Sequence, residues 1–462
     1  MKKLTVSLLV HLTWIIGSVN AQTIAAGTLH TIALCPDGTV WTWGGNSYGQ
    51  LGDTSLVSSI VPNQVSGLDS VIDIFSGWHG CFAEKSDNTI WAWGKNNDGE
   101  LGIGVIGNSF YPQQVIGLDS VLKIDGGAFH TIALTENGSV WTWGDNNRGQ
   151  LGNSNFQVGE LTPIQVPGLD GIIDIDAGWN HCLALKDDGS LWVWGDNGKG
   201  ELGDSTFLLK DYPINVSGLT DVVQIQGGGS HSMALKSDST VWTWGFNDFG
   251  QLGNGNLTTT PWPMQVTGLS GIVAIESGRN HSLALDKDGI VWVWGHNFYS
   301  NLGNGLTSDQ NTPVQSGLPA NNYTLSSGDW HGFAMVNDDI WTWGRNNYGQ
   351  LGDSTYSNES TPYIMDVFCS PTTSVADKEQ PTYHTTVFPN PFVNETHIRI
   401  SNFSNVSYTL RILNAMGQQV GLINGVDASD IQVLRGNLPG GLYFYQLSTS
   451  QGVIGVGKLL AE

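Results

Sequence analysis

Positive charge is scarce in this chain. Its 462 residues include 18 Lys and Arg against 41 Asp and Glu, a formal net charge of −23. Neutralising phosphates takes basic residues in excess, so the composition argues against a general binder of nucleic acid or anionic membranes. Cysteine occurs only four times and methionine six. A chain of this length can bury a large core, so it needs neither a metal nor a disulfide merely to fold. Disorder is excluded by a content of 40% apolar and 10% aromatic residues. Glycine, by contrast, is abundant: 61 residues without a collagen period, together with 19 Trp. That combination indicates many turns and an all-β chain.

Long apolar runs are missing everywhere except at the start. Lys2 and Lys3 precede an apolar stretch from Leu4 to Ile16, and small residues follow at Val19 and Ala21. This is the pattern of a signal peptide over residues 1–21, with cleavage between Ala21 and Gln22. The run is shorter than the ~20 residues a membrane span requires, so an N-terminal anchor is the weaker alternative. The mature chain is therefore expected to be exported and to hold no membrane-spanning segment.

One unit recurs seven times. Trp-x-Trp-Gly starts at Trp41, Trp91, Trp141, Trp192, Trp242, Trp292 and Trp341, at spacings of 49 to 51 residues. Five residues after each first Trp stands an Asn, from Asn46 to Asn346, and ten residues after it Leu-Gly, from Leu51 to Leu351. A Pro follows, from Pro62 to Pro362, and a Gly precedes each tetrad, from Gly27 to Gly328. Turn pairs such as Asp37-Gly38, Asn137-Gly138 and Asp188-Gly189 precede the Trp strands. Asp, Asn and Gly tolerate positive φ, so these pairs suit tight hairpins, and much of the acidic charge is turn chemistry. All-β units of about 50 residues cannot each bury both faces alone; a ring of seven blades solves this, with an open solenoid as the alternative.

The unit reads Gly-Thr-Val-Trp-Thr-Trp-Gly-x-Asn-x-x-Gly-Gln-Leu-Gly, then Pro, then Gly-x-x-His-x-x-Ala-Leu. In this it resembles the regulator of chromosome condensation repeat family. The resemblance covers residues 22–369 and implies a seven-bladed β-propeller. Family members include an exchange factor for a small nuclear GTPase, a plant ultraviolet-B photoreceptor and a secreted inhibitor of β-lactamases, so the resemblance implies the fold and not one activity.

Residues 22–35 supply a hairpin with no Trp strand before it, and residues 340–368 a Trp strand with no hairpin after it. These ends are expected to complete one blade between them. By repeat arithmetic Cys369 falls just before Gln22, at the open end of the hairpin that Cys35 terminates, so a Cys35–Cys369 disulfide is expected. Cys81 and Cys182 occupy equivalent places in blades that are not neighbours and are expected to be buried thiols acting as small apolar residues.

His30, His130, His181, His231, His281 and His331 form an aligned set, interrupted at Gly80 with His79 one residue early. The expected role is a hydrogen bond that steadies each hairpin rather than a ring of metal ligands, since equivalent blade positions lie too far apart to share a ~2 Å ligand sphere. The tetrad Trp are expected to pack between blades. The two positions between Gly and His vary instead, and they carry Trp78, His79, Phe129, Trp179, Arg279 and Trp330. A fixed frame bearing changing aromatic and Arg residues is what a binding rim looks like. The photoreceptor has Gly-Trp-Arg-His-Thr at a comparable place; here the stretches are Gly77-Trp78-His79 and Gly178-Trp179-Asn180-His181 without the Arg, which argues against photosensing.

Past Cys369 the pattern stops. Residues 370–383 read as a linker, and residues 384–462 as a small C-terminal β-sandwich. The latter carries Val387-Phe388-Pro389-Asn390-Pro391-Phe392, Met416-Gly417-Gln418 and Leu438-Pro439-Gly440-Gly441-Leu442-Tyr443. These motifs resemble the type A C-terminal sorting domain of type IX secretion in Bacteroidota. That implies Sec export, passage of the outer membrane by the type IX machinery acting on residues 384–462, and release or display at the surface of a Gram-negative cell.

No Gly-x-Ser-x-Gly elbow, His-Glu-x-x-His helix or P-loop occurs; Gly195 to Gly200 fails the last because no Ser or Thr follows Lys199. Asp174 and Asp176 lack the further ligands of a calcium loop. No catalytic, metal or cofactor-binding residue is therefore expected. The sequence reads as an exported, non-enzymatic recognition propeller for an extracellular protein or glycan. A secreted protein inhibitor is the alternative, ahead of an exchange factor or a polymer-degrading enzyme.

Overall fold

The computed structural model describes residues 23–336, 339–365, 369, 385–400, 408–414, 419–426, 430–436, 438–449 and 452–461. The expected signal peptide 1–21, the Ala21–Gln22 cleavage point and the linker 370–383 lie outside the described residues. Two compact units divide the chain, residues 1–371 and 372–462. Among the described residues every regular element is a strand, and no helix is long and apolar enough to cross a membrane.

In the first blade Thr23–Ala26, His30–Leu34, Val40–Gly44 and Ser59–Gln64 form one antiparallel sheet in that order. The Trp strand lies inside the sheet, with Trp41 opposite Ala33 on one side and Gln64 on the other. Its entry turn is set by Asp37, whose Oδ1 accepts from the Thr39 N–H at 3.0 Å and its hydroxyl at 2.6 Å. Within the propeller strands proline occurs only in the outer one, where a missing N–H costs no ladder bond. Six further sheets of four consecutive strands follow, ending with Thr324–Ser327, His331–Val336, Asp339–Gly344 and Glu359–Ile364. Each innermost strand packs on the next, and the first packs on the last, so the seven-bladed ring closes.

The ends do not share a blade. Each hairpin pairs forward with the Trp strand that follows it in sequence, so the repeat begins at the Gly-x-x-His hairpin and the first and last blades are both complete. The expectation of a shared sheet came from cutting the repeat at the Trp. Closure is instead made by side chains, a backbone bond from the Ser354 N–H to the Ile60 carbonyl at 2.9 Å, and one covalent bond. Trp43 Nε1 and Thr31 Oγ1 both donate to the Gln350 carbonyl at 2.9 Å, and the Ser326 hydroxyl accepts from the Ala26 N–H at 3.1 Å. Cys35 and Cys369 are joined as a disulfide.

The Trp43 bond repeats around the ring. The second Trp of every tetrad is fully buried and donates to a backbone carbonyl of the preceding blade, as Trp194 does to Gln150 at 2.9 Å. Except after His331, where Gly332 has no side chain, the residue after each aligned His uses the same acceptor: Ser232 donates to the Glu201 carbonyl at 2.8 Å. Cys81 and Cys182 stand at that position. They are free and buried, and their thiols point to the Gln50 and Gln150 carbonyls at 3.3 and 3.5 Å, so they replace a hydroxyl rather than a methyl group.

The histidines also bond between blades, not within the hairpin. The Nε2 atoms of His181 and His231 lie 3.0 and 3.1 Å from the hydroxyls of Ser232 and Ser282 in the following blades, and that of His130 lies 3.0 Å from Cys182 Sγ. Hydrogen bonding of the hairpin turn is left to the backbone, with the Gly178 N–H donating to the His181 carbonyl at 2.9 Å. The glycine three residues ahead makes room for the ring: a Cβ on Gly178 would collide with His181 Cε1 and sit 2.7 Å from the Gly228 carbonyl. Gly178→Ala is expected to destabilise the propeller by about 3 kcal/mol, since neither obstacle can swing away. Urea unfolding of the variant measures this; a loss below about 1 kcal/mol would refute the steric argument.

The C-terminal unit has two sheets, Thr385–Phe388, Glu395–Ile400 and Asp430–Leu434 in one, and Gln419–Val426, Tyr408–Asn414, Gly441–Thr449 and Gly452–Ala461 in the other. They enclose one core that includes Phe392, Ile398, Leu410, Val433, Tyr445 and Leu459. Asn390 fastens the Pro-Asn-Pro step to the last strand: its amide donates to the Lys458 carbonyl at 3.0 Å and its oxygen accepts from the Leu460 N–H at 2.7 Å.

Candidate binding face

One end of the propeller is built from two loops per blade. The first is the Gly-x-x-His turn. The second is the Gly-x-Asn-x-x-Gly loop that leaves the Trp strand. A backbone bond staples them together in every blade: Lys95 N–H to the His79 carbonyl at 3.0 Å, Asp196 to Asn180 at 2.8 Å, Arg345 to Trp330 at 2.8 Å, and likewise in the other four. The frame is fixed by backbone, so the side chains at the variable positions are free to differ. This is why the face can change chemistry from blade to blade without disturbing the fold.

The six rim residues singled out in the sequence meet in one network. The ring of Trp78 lies 4.8 Å from His79, 5.7 Å from Phe129 and 5.6 Å from Trp179. The Arg279 guanidinium stands over Trp179 at 4.0 Å and over Trp330 at 4.7 Å. All six are half-buried, packed on one another and open on one side. Beneath them Asp329 accepts from Trp78 Nε1 at 3.1 Å and lies 3.9 Å from Arg279 Nη1. Burial raises its carboxyl to about 6, against the pull of Trp78 and Arg279. Burial, with His30 and Lys95 adding to it, lowers His79 to about 3, so it is neutral.

Other members of the network come from the second loop. The Arg345 guanidinium lies over Tyr299 at 4.5 Å, Trp330 at 4.8 Å and Tyr348 at 5.3 Å. From Tyr299 the rings continue outward through Phe298 at 5.0 Å, then His296 and Phe249. Lys95 sits 4.3 Å over Phe129 and pairs with Glu100 at 2.7 Å. The signal for these residues was in the sequence: the positions on either side of the repeat Asn vary as freely as those before His.

The network covers the mouth of a central channel of about 310 Å3 walled by the seven innermost strands. Its polar side chains cap the open edges of those strands. Asp125 and Asp176 accept from the Ala177 and Gly227 N–H groups of the following blades, both at 2.7 Å. Burial pushes both carboxyls up, and Glu276 likewise. Burial alone would depress Lys123, but Asp174 and Asp176, at 2.9 and 3.3 Å, hold it above its ordinary value. Among the described residues no group of three or more His, Cys, Asp or Glu is arranged to hold a metal ion.

A family model described as RCC1-like domain matches residues 9–207 and 157–386, and one described as secretion system C-terminal sorting domain matches residues 386–461. The chain is 34% identical over 198 residues to the mitochondrial RCC1 domain-containing protein RUG3 of Arabidopsis thaliana, a match covering 40% of this chain and 44% of that protein. It is 48% identical over 46 residues to the human E3 ubiquitin-protein ligase HERC2, covering 10% of this chain and 1% of that one. The chain thus spans less than half the length of either curated relative. Among solved structures, yeast RCC1 (Prp20) bound to Kap60 superposes with a TM-score of 0.64 at 20% identity, covering 83% of this chain and 94% of that one. Human WBSCR16 gives 0.64 at 23%, covering 71% and 95%.

Proposed function

Because the chain belongs to the RCC1-like domain family and ends in a type IX secretion sorting domain, which marks it for the cell surface or extracellular space, we propose that it is a recognition propeller without enzymatic activity. Its binding face is the looped end that carries the aromatic and Arg network, and its partner is an extracellular protein. The observation that carries this reading is the seven-fold backbone staple, which holds a rigid frame under side chains that differ in every blade. Aromatic and Arg side chains on a preorganised frame lose little entropy when they dock. The channel supports the same reading, because Asp125 and Asp176 are spent on strand edges and Lys123 on Asp174 and Asp176. A glycan is the weaker partner class, since Arg279 covers the Trp179 and Trp330 rings on which a sugar would stack.

Alanine at Trp78, Trp179 or Trp330 removes packing together with surface, because these rings lie against one another or share Arg279. Phe298 is the cleaner probe, at 69% exposed. Phe298→Ala is expected to weaken capture of the partner from medium or cell surface at least tenfold while changing stability by less than about 0.5 kcal/mol. Trp330→Ala is expected to abolish capture at a cost of about 1–2 kcal/mol. Undiminished capture by both variants would refute this face.

A further inference from the structure

The looped end has a second, outer ring. In each blade the repeat Asn clamps the loop that runs from Leu-Gly to the outer strand. Asn46 Oδ1 accepts from the Leu51 N–H at 3.0 Å, while its amide donates to the Ser55 and Val57 carbonyls at 3.2 Å. Asn96 and Asn247 hold Val105 and Asn256 in the same way, at 2.7 and 3.0 Å. Every one of these clamped loops presents an apolar side chain to solvent: Leu56, Ile106, Phe156, Phe207, Leu257, Leu306 and Tyr356, between 40% and 66% exposed. Single exposed apolar residues are ordinary, but six at the same repeat position and a seventh, Leu306, one residue earlier in its blade form a pattern. Ring geometry puts them around the periphery of the same end whose centre holds the aromatic and Arg network.

Resting on the reading above, we propose that this outer ring and the central network form one docking disk for a single folded protein with a basic contact surface. Aliphatic and Phe tips held at fixed spacing suit the uneven apolar surface of a protein. A short peptide or an oligosaccharide would reach one sector only. Charge selects among the larger partners. The seven loops, residues 45–58 and their counterparts, carry ten acidic and four basic residues on a chain of net charge −23. Like-charge repulsion disfavours an anionic lipid surface and a second copy of this chain, and a surface rich in Lys and Arg is complementary.

The test is site-specific photo-crosslinking of the full chain in the secreting bacterium, with benzoylphenylalanine at Leu56 in the first blade or Phe207 in the fourth. Exposed Asp187, on the opposite end of the propeller, is the control. Both tips are expected to trap the same protein, with an isoelectric point above about 8, and Asp187 to trap none. Serine at Leu56, Phe207 and Leu257 together is expected to reduce capture at least tenfold with an unchanged unfolding midpoint, because these side chains are exposed. Different proteins at the two tips, adducts with lipid, glycan or a second copy, an acidic partner, or no adduct would each overturn the inference. If the tips fail while Phe298→Ala and Trp330→Ala still lose capture, the central binding face stands and only the disk falls.

Discussion

Cys35→Ser, or reduction of the Cys35–Cys369 bond, is expected to destabilise the propeller by about 5 kcal/mol. The cross-link spans 334 residues of chain, and constraining so long a loop in the unfolded state gives a disulfide its largest entropic effect. Spread over the unfolding entropy of roughly 340 residues, this lowers the midpoint by about 7 °C. No sheet crosses the seam: both terminal blades are complete, and besides the disulfide they are joined by side-chain bonds such as Trp43 and Thr31 to Gln350, by the Ser354 N–H donating to the Ile60 carbonyl, and by apolar packing. Thermal unfolding of the wild type and the variant, each with and without reductant, measures it. Hydrogen exchange adds a local test: amides of residues 23–34 should lose protection before those of the fourth blade. An unchanged midpoint would show that the inter-blade bonds close the ring unaided.

Acid is expected to leave stability nearly level from pH 6.5 to 4 and then to collapse it. Burial lowers His79, His130, His181, His231, His281 and His331 to about 3 and His30 to about 4. Their unfolded forms take up protons near 6.5, so each contributes stability that is complete above that value and is lost as pH falls toward 3. The opposing set is carboxylic. Burial raises Asp73 and Asp329 to about 6, and Glu84 and Glu201 to about 7, with Asp125, Asp176 and Glu276 also above the usual range. A raised carboxyl favours the folded state below its unfolded value near 4 and loses that contribution as pH rises through the folded value. Between 4 and 6.5 the two sets therefore cancel.

Below pH 4 the raised carboxyls are protonated in both states and stop opposing the imidazoles, while a carboxyl such as Asp286, where burial is outweighed by hydrogen bonds from Trp292 and Ile290, loses stability in the same direction as it protonates. At about 1.4 kcal/mol per group and pH unit, the six imidazoles lowered to about 3 remove roughly 8 kcal/mol per unit, comparable to the whole stability of a domain. Urea midpoints followed by Trp fluorescence should agree at pH 6.5 and 4.5, and the chain should be unfolded without urea at pH 3. A steady decline beginning at pH 6.5 would show that the carboxyls do not offset the histidines. A folded chain at pH 3 would show that the imidazoles are not buried neutral.

Much of this molecule was readable from periodicity. The seven Trp-x-Trp tetrads set the number of blades. The distance from Trp341 to Cys369 paired that residue with Cys35. Variation inside Gly-x-x-His marked Trp78, Trp179, Arg279 and Trp330. Each of these is a statement about one unit or about counting units, and local pattern suffices for it. Three decisions came only with the tertiary structure. The repeat starts at the hairpin, so the ends meet without sharing a sheet. The aligned His reach into the following blade, across the space that the missing side chain of Gly178 and its equivalents leaves for the imidazoles. The rim residues converge, since positions about 50 or 100 residues apart in sequence stand side by side around one axis. All three concern which surface of one blade faces the next, a non-local choice made by packing and ring closure that no fifty-residue pattern can encode by itself.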